Sequence, residues 1–335
     1  MIVFSQKREK RIGGRCFVKK LSSVLAAVLA LTLLCGCGTA AVSPSASAPE
    51  AGTFEDALGK TVSIKSHDRV VSLYGSFAEA WTLSGGTLVG ATQDAVDERH
   101  LDLGTDTSIV GTVKGPNLEE ILALSPDFVI LSSQIPAQVK LDQSLSDAGI
   151  PHAYFSGETF DEYLAMLKIF CGLTGRDDLY QQNGEAVKAQ IDAVVKTVSD
   201  SGAQPPTVLL LRAYSSGCKA KGSDSVTGAI LKDLGAENLA DADKSLLEDV
   251  SLEKIIAADP DYILVVPMGS ETDAKAWIAE NFQSNPAWAG LSAVKDGHYD
   301  ILPKDLFHYK PNTKWGESYE YLAKLIYPQL ADTIG

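Results

Sequence analysis

An arginine stands near the end of the apolar run TVLLLRAY, Thr207–Tyr214. A guanidinium closing a buried strand needs an anionic partner, and its planar fork suits carboxylate or catecholate oxygens. Other polar and aromatic residues also follow apolar runs that read as strands. In the first half these are Tyr74, Ser76, Ser132, Ser133 and Gln134. In the second they are Tyr214, Lys219, Lys221 and Met268, and FHYKPN (Phe307–Asn312) adds His308, Tyr309 and Lys310. From this set the candidate ligand-binding residues are Tyr74, Ser76, Arg212, Tyr214, Lys221, His308 and Tyr309. The chemistry they offer is recognition of an anion, with aromatic faces beside it.

Catalytic chemistry has little support. LGKT (Leu58–Thr61) imitates the end of a phosphate-binding loop, but the glycine required five positions before Gly59 is Phe54. No G-x-S-x-G or G-x-G-x-x-G occurs, so hydrolase and dinucleotide readings are weak. The five histidines, at 67, 100, 152, 298 and 308, lack ligand spacing. No zinc or manganese site, catalytic residue or cofactor is therefore expected, and the chain is not read as an enzyme.

The elements that would position these groups are written twice. NLEEILALSPDFVIL (Asn117–Leu131) and SLEKIIAADPDYILV (Ser251–Val265) agree at six of fifteen positions without gaps. In each, an N-cap residue precedes a helical pattern: Leu118, Ile121 and Leu122, then Leu252, Ile255 and Ile256. Pro126 and Pro260 stop the helices, and short apolar strands follow. Further strands are expected in RVVSLYGS, TLVGAT, HAYFSG, TVLLLRAY and HYDILP. Between the halves, residues 176–201 carry apolar positions at Leu179, Ala186, Val187, Ile191, Val194, Val195 and Val198, an amphipathic helix. The expectation is an α/β protein: two Rossmann-like lobes with central sheets, residues 54–175 and 202–335, joined by a single long α-helix. Ligands of open α/β sheets sit beyond the carboxyl ends of the strands, so the ligand cleft should lie between the lobes and close only modestly.

The N-terminus reads as a secretory signal, residues 1–36. Seven bases and one acid between Lys7 and Lys20 precede the apolar run Leu21–Leu34. A short buried helix or a retained anchor are the alternatives. LCGC (Leu34–Cys37) resembles the lipobox of bacterial lipoproteins, which implies that Cys37 carries diacylglycerol and a palmitate-type acyl chain. Residues 37–53, rich in Ala, Ser, Pro and Gly, read as a flexible tether. Without residues 1–36 the chain has 22 bases and 42 acids, a net charge of −20. So acidic a surface argues against nucleic acid. Cys171 and Cys218 either pair or remain buried thiols.

The ordered pieces LGKTVSI, RVVSL, LVGAT, VGTVKGPNLEEILALSPDFVI, LKDLGAENLAD, DVSLEKIIAADPDYILVV and AVKDGHYDILP together resemble bacterial ABC-importer substrate-binding proteins for iron–siderophores, haem and corrinoids. The resemblance covers Phe54 to the end. It implies an extracytoplasmic, lipid-anchored carrier on the cell membrane that serves a dimeric permease and its ATPase. It ranks a ferric siderophore first as ligand, haem second and a corrinoid (vitamin B12) third; a surface sensor or enzyme on the same fold is the other class. It also implies that Glu119 and Glu253, at the same place in the two copies, dock on permease arginines. The local alternative is that each favours its helix dipole. If haem were the ligand, the tyrosines could stack on it or ligate its iron, and His308 could be an axial ligand to haem or a corrinoid.

Overall fold

A computed structural model describes residues 52–248 and 250–335. The signal segment, Cys37 and most of the tether lie outside the described residues.

The first lobe is built on an all-parallel sheet in the order Ser108–Ile109, Gly90–Ala91, Val70–Ser72, Phe128–Ser132, His152–Phe155. The second places Gly217–Ala220, Thr207–Tyr214, Tyr262–Pro267 and Tyr299–Ile301 side by side. Here Glu237–Asn238 runs parallel beside the start of Thr207–Tyr214, and Gly217–Ala220 returns antiparallel beside its end. Strands Phe128–Ser132 and Tyr262–Pro267 are buried along their whole length, as unbroken apolar runs require when both sheet faces are covered.

The doubled stretch does the same job twice. Asn117 caps helix Leu118–Ala123 by accepting from the Glu119 and Glu120 N–H groups; Ser251 caps Leu252–Ala258 by accepting from Lys254 N–H. Each helix leaves through a left-handed residue just before the proline, Ser125 at φ 46° and Asp259 at φ 39°. The aspartate after each proline then ties down the neighbouring strand. Asp127 accepts from the N–H groups of Asp68 and Arg69, at 3.0 and 3.1 Å. Asp261 accepts from the N–H and hydroxyl of Thr207, at 2.8 and 2.7 Å.

Three expectations need correction. Leu122 and Ile256 do not face the cores: they are 37% and 38% exposed, whereas Ile121 and Ile255 are fully buried. Helices this short bury one narrow face, and the next residue, about 100° further round, points outward. The connector is not a uniform α-helix. It runs Asp177–Tyr180, then a π-turn Gln181–Glu185, then Ala186–Asp200. At the π-turn Gly184 lies so close to Leu164 that a Cβ would stand 2.8 Å from its methyl carbon. The tether, finally, is shorter than expected, because Gly52 and Thr53 already pair with Ile64 and Ser63. LGKT belongs to the turn of that hairpin, where the Asp56 carboxylate accepts from Leu58 and Lys60 N–H. Cys171 and Cys218 are both unpaired.

One apolar core runs through both lobes. Phe77, Trp81, Phe155 and Phe170 of the first lobe join Val187, Ile191, Val194 and Val198 of the connector, then Leu210, Ile230, Phe307, Trp315 and Tyr319 of the second. The chain also returns to the first lobe beyond Tyr309. The fully buried Asn312 donates to the Ser76 carbonyl at 2.9 Å and to the Glu79 carboxylate at 2.6 Å. Its backbone sits at φ 53°, a conformation asparagine tolerates better than most side chains. Asn312→Ala would remove both bonds, leaving the Glu79 carboxylate to Arg99 alone, and would strain the backbone. We expect a loss of about 1–3 kcal/mol of stability by urea unfolding, and Asn312→Gly should lose slightly less because it relieves only the strain.

Candidate functional site

A cavity of about 540 Å³ opens where the carboxyl ends of the two sheets meet. The first lobe contributes Tyr74, Glu98, Val113, Lys114, Ser132, Gln134, Ile135 and Glu158; the second contributes Arg212, Lys221, Asp224, Ser225, Met268, Gly269, His308, Tyr309 and Lys310. Its lining is about half polar and half apolar in area, with four cations against three acids.

Side-chain clamps hold the loops that carry these groups. Gln138 is fully buried and joins three of them. Its amide N–H groups donate to the carbonyls of Leu73 and Val113, at 2.6 and 3.0 Å, and its carbonyl accepts from Ser132 N–H at 2.7 Å. Tyr74, Lys114 and Ser132 are thereby set side by side. Asp94 accepts from Gly75 N–H at 2.6 Å and fixes the start of helix Gly75–Leu83 behind Tyr74. Glu158 is positioned by Glu162, which caps helix Phe160–Thr174 and accepts from the Glu158 N–H at 2.8 Å.

In the second lobe Asn238 donates to the Lys221 carbonyl at 2.9 Å, and Asp241 accepts from Ser223 N–H at 3.0 Å. Gly228 packs directly under this loop: a Cβ there would lie 1.9 Å from the Gly222 carbonyl oxygen, so no other residue fits.

The charges divide into a paired and an open set. Lys310 is buried and ion-paired with Glu158 across the cleft. Burial alone would raise the Glu158 carboxyl, but Lys310, Arg212 and Lys221 outweigh it and hold it below the ordinary value. Burial leaves the Lys310 ammonium below its usual range despite Glu158. Arg212 forms no ion pair among the described residues, and its buried Nε has no hydrogen-bond partner. His308 is pushed down to about 3 by burial, with Arg212, Lys304 and Lys310 adding to it, so its imidazole is neutral at pH 7. Its buried Nδ1 is likewise without a partner. Burial, with Glu158 and Asp94 nearby, pushes the Tyr74 phenol far up, so it stays protonated and can donate.

Of the residues anticipated from sequence, Tyr74, Arg212, Lys221, His308 and Tyr309 surround this one cavity. Ser76 and Tyr214 do not line it. Ser76 is buried within helix Gly75–Leu83, and Tyr214 lies opposite Gly217 where the hairpin turns back. Glu119 and Glu253 are both exposed in the first turns of their helices. Hydrogen bonds to its own backbone and to Ser251 hold the Glu253 carboxyl below the usual range. Among residues missed from sequence, Glu158 follows strand His152–Phe155 and was within reach of the rule that found Tyr74. Glu98 ends the short helix Asp94–Asp97 and Lys114 sits in the turn of the hairpin Gly111–Pro116, positions with no such signal. Among the described residues no group of three or more His, Cys, Asp or Glu side chains is placed to hold a metal ion.

Two facing α/β sheets, a stiff connector and a polar cleft at the strand ends define a bilobal binding protein of the class III periplasmic type. Residues 70–306 match the family described as periplasmic binding protein, and the chain belongs to that family. It is 28% identical over 298 residues to the Fe(3+)-citrate-binding protein YfmC of Bacillus subtilis (strain 168), covering 85% of this chain and 90% of that protein. It is 25% identical over 203 residues to the high-affinity heme uptake system protein IsdE of Staphylococcus aureus (strain MRSA252), covering 58% of this chain and 66% of that one. The crystal structure of Staphylococcus aureus SirA complexed with staphyloferrin B superposes with a TM-score of 0.64 at 23% identity, covering 84% and 98% of the two chains. That last likeness is one of fold.

Two outcomes are expected. Arg212→Ala should weaken binding of an anionic ligand about ten- to a hundred-fold by calorimetry, the worth of one charged hydrogen bond. Arg212→Lys should restore only part, because the fork is lost, and neither change should much alter apo stability. The second concerns acid. Unfolded chains protonate His308 below its ordinary 6.5, whereas the folded site resists down to about 3. His308 therefore withdraws stability as pH falls through 6.5, by about 2 kcal/mol between pH 7 and pH 5. In His308→Gln this part of the acid loss should vanish, as read from urea midpoints at the two pH values.

Proposed function

We propose that this protein is the substrate-binding component of an ABC importer and that its cargo is an anionic ferric chelate, a ferric siderophore or ferric citrate. The observation that carries this reading is the unpaired Arg212 guanidinium, set with Lys221 in a preformed polar cleft of a chain whose formal charge is −14. Cations concentrated at the cleft of an acidic protein attract an anion there. The relationship to a protein named for Fe(3+)-citrate supports the same chemistry. In this reading the chain is a carrier, not an enzyme. Cys37 bears the lipid that holds it at the extracytoplasmic face of the cell membrane, and Glu119 and Glu253 meet basic groups of a dimeric permease. No helix among the described residues is long and apolar enough to cross a membrane.

One observation favours a second reading, haem: the neutral His308 beside Tyr309 could offer a lone pair to a haem iron. The lining weighs against it. Only Val113, Ile135 and Met268 are aliphatic, so Tyr74 and Tyr309 would have to supply the rest of the cover for the broad apolar faces of a porphyrin, in a lining that also carries four cations and three acids.

Calorimetric titration with ferric citrate, a ferric catecholate, haem and cyanocobalamin decides. The expected result is micromolar or tighter binding of at least one ferric carboxylate or catecholate. Binding of haem alone, with a Soret shift lost in His308→Gln, would replace the first reading by the second.

A further inference from the structure

Glu158 has one carboxylate oxygen in use and one to spare. Its Oε1 accepts from the Lys310 ammonium, while Oε2 makes no hydrogen bond among the described residues. Nor is Oε2 shut away: the buried side-chain atoms without a partner are Arg99 Nε, Arg212 Nε, His308 Nδ1, Asn312 Oδ1 and Trp315 Nε1. The Glu158 side chain is 23% exposed and lines the cleft cavity, so the spare oxygen meets the cavity. The pair itself is held from both ends. Glu162 accepts from the Glu158 N–H at 2.8 Å, and the Lys310 stem packs over Gly157, where a Cβ would stand 3.6 Å from it. Drawing the buried Lys310 ammonium away would leave a charge unpaired, so a ligand does better to leave the pair standing and meet the oxygen that remains. Burial raises the Glu158 carboxyl, but Lys310, Arg212 and Lys221 outweigh it, so it is ionised at neutral pH. An ionised carboxylate oxygen only accepts.

The cleft therefore makes two demands at once. Arg212 and Lys221 call for an anion, and Glu158 calls for a donor. From this arrangement we infer that Glu158 is a specificity-determining residue whose free oxygen takes a hydrogen-bond donor of the cargo, so that the cleft selects a ferric chelate carrying an ammonium, amide N–H or free hydroxyl beside its anionic groups over one that presents acceptors alone. The inference rests on the carrier reading and narrows it. A chelate that turns only carboxylate oxygens outward, as ferric citrate does, sets like charge against Glu158 and strips it of water. A site built to bond a donor rejects an analogue without one strongly, because its own polar atom is left unpaired.

The test compares two ferric catecholates of nearly the same shape, formed with 4-(2-aminoethyl)catechol and with 4-propylcatechol. The first carries an ammonium where the second carries a methyl group. Both are titrated by calorimetry at equal iron and chelator concentrations, with iron-free chelator as blank. The full chain is compared with Glu158→Gln and with Glu158→Met/Lys310→Met. The latter replaces the ion pair by apolar side chains of similar length, a change that folded proteins often tolerate. Glu98→Gln/Asp224→Asn controls for general attraction of a cation, since both acids line the cavity but are exposed and have no side-chain partner. Melting temperatures are measured alongside, and the wild-type comparison needs no variant to fold.

The expected result is at least tenfold tighter binding of the ammonium-bearing complex by wild type. That preference should fall below threefold in both Glu158 variants and persist in Glu98→Gln/Asp224→Asn. A wild-type preference under tenfold, a preference that survives loss of Glu158, or one lost equally with Glu98 and Asp224 would overturn the inference. If wild type binds ferric citrate but neither catecholate, the inference is wrong and the carrier reading stands. If wild type binds no ferric chelate at all, both fall together.

Discussion

The return of the chain to the first lobe at Asn312 constrains everything else. A two-lobed protein joined only by a helix could still rock about it. Here Asn312 bonds to Ser76 and Glu79, Lys310 pairs with Glu158, and one apolar core passes through both lobes. Wide opening would strip a buried amide of two partners and leave a buried ammonium unpaired, each costing on the order of 1–3 kcal/mol or more. The cleft must then recognise its ligand nearly as it stands. This fits loops that are clamped by side chains: the buried Gln138 and Asp94 in the first lobe, the buried Asn238 and the half-buried Asp241 in the second. A site that closes little gains affinity by being ordered before the ligand arrives.

The same constraint gives the Lys310–Glu158 pair a meaning beyond stability. Buried pairs contribute little net stability compared with apolar packing, yet removing one partner is costly. Here the pair lines the ligand cavity. A ligand oxygen approaching Lys310 competes with Glu158 at hydrogen-bond distance, whereas one approaching Arg212 meets a guanidinium that forms no ion pair among the described residues and feels Glu158 only at longer range. Arg212, like Lys221 and Lys114, thus gives up no ion pair on binding, and Arg212 has in addition a buried Nε without a partner. Lys310 is available only to a group that can displace a carboxylate, or accept a shared hydrogen bond beside it. The cavity discriminates by what each cation must exchange, and the simple excess of cations over acids tells less than half of this.

Much of the architecture was legible because it depends on local rules. Thr207–Tyr214 is a strand with the bounds its apolar run suggests, and the doubled stretch is a structural repeat. The fold class follows from those pieces in order. What escaped depends on tertiary geometry. Leu122 and Ile256 fit the helical period, and only the narrowness of the buried face turns them outward. Ser76 follows a strand as Tyr74 does, but the helix that starts between them takes it inward. Gln138 and Asn312, which hold the cleft edges and the lobes, carry no signal at all. A buried amide joining distant carbonyls looks in sequence like any surface glutamine or asparagine. Glu158 differs from these, since it follows a strand and is marked by the same pattern as Tyr74.

The two copies also show which parts of the repeat the fold requires. Ile121 and Ile255 fill the two cores, the prolines turn the chain after left-handed residues, and Asp127 and Asp261 hold the starts of neighbouring strands. Those identities are accounted for inside each lobe. The strand ends that follow are not alike. The first copy opens onto Ser132 and Gln134, the second onto Met268 and Gly269. The repeat has kept its scaffold and diverged at the strand ends that line the cavity. Its outer helix turn has not diverged in the same way: an acid and an exposed aliphatic side chain recur in both copies, although no core packing requires the aliphatic one.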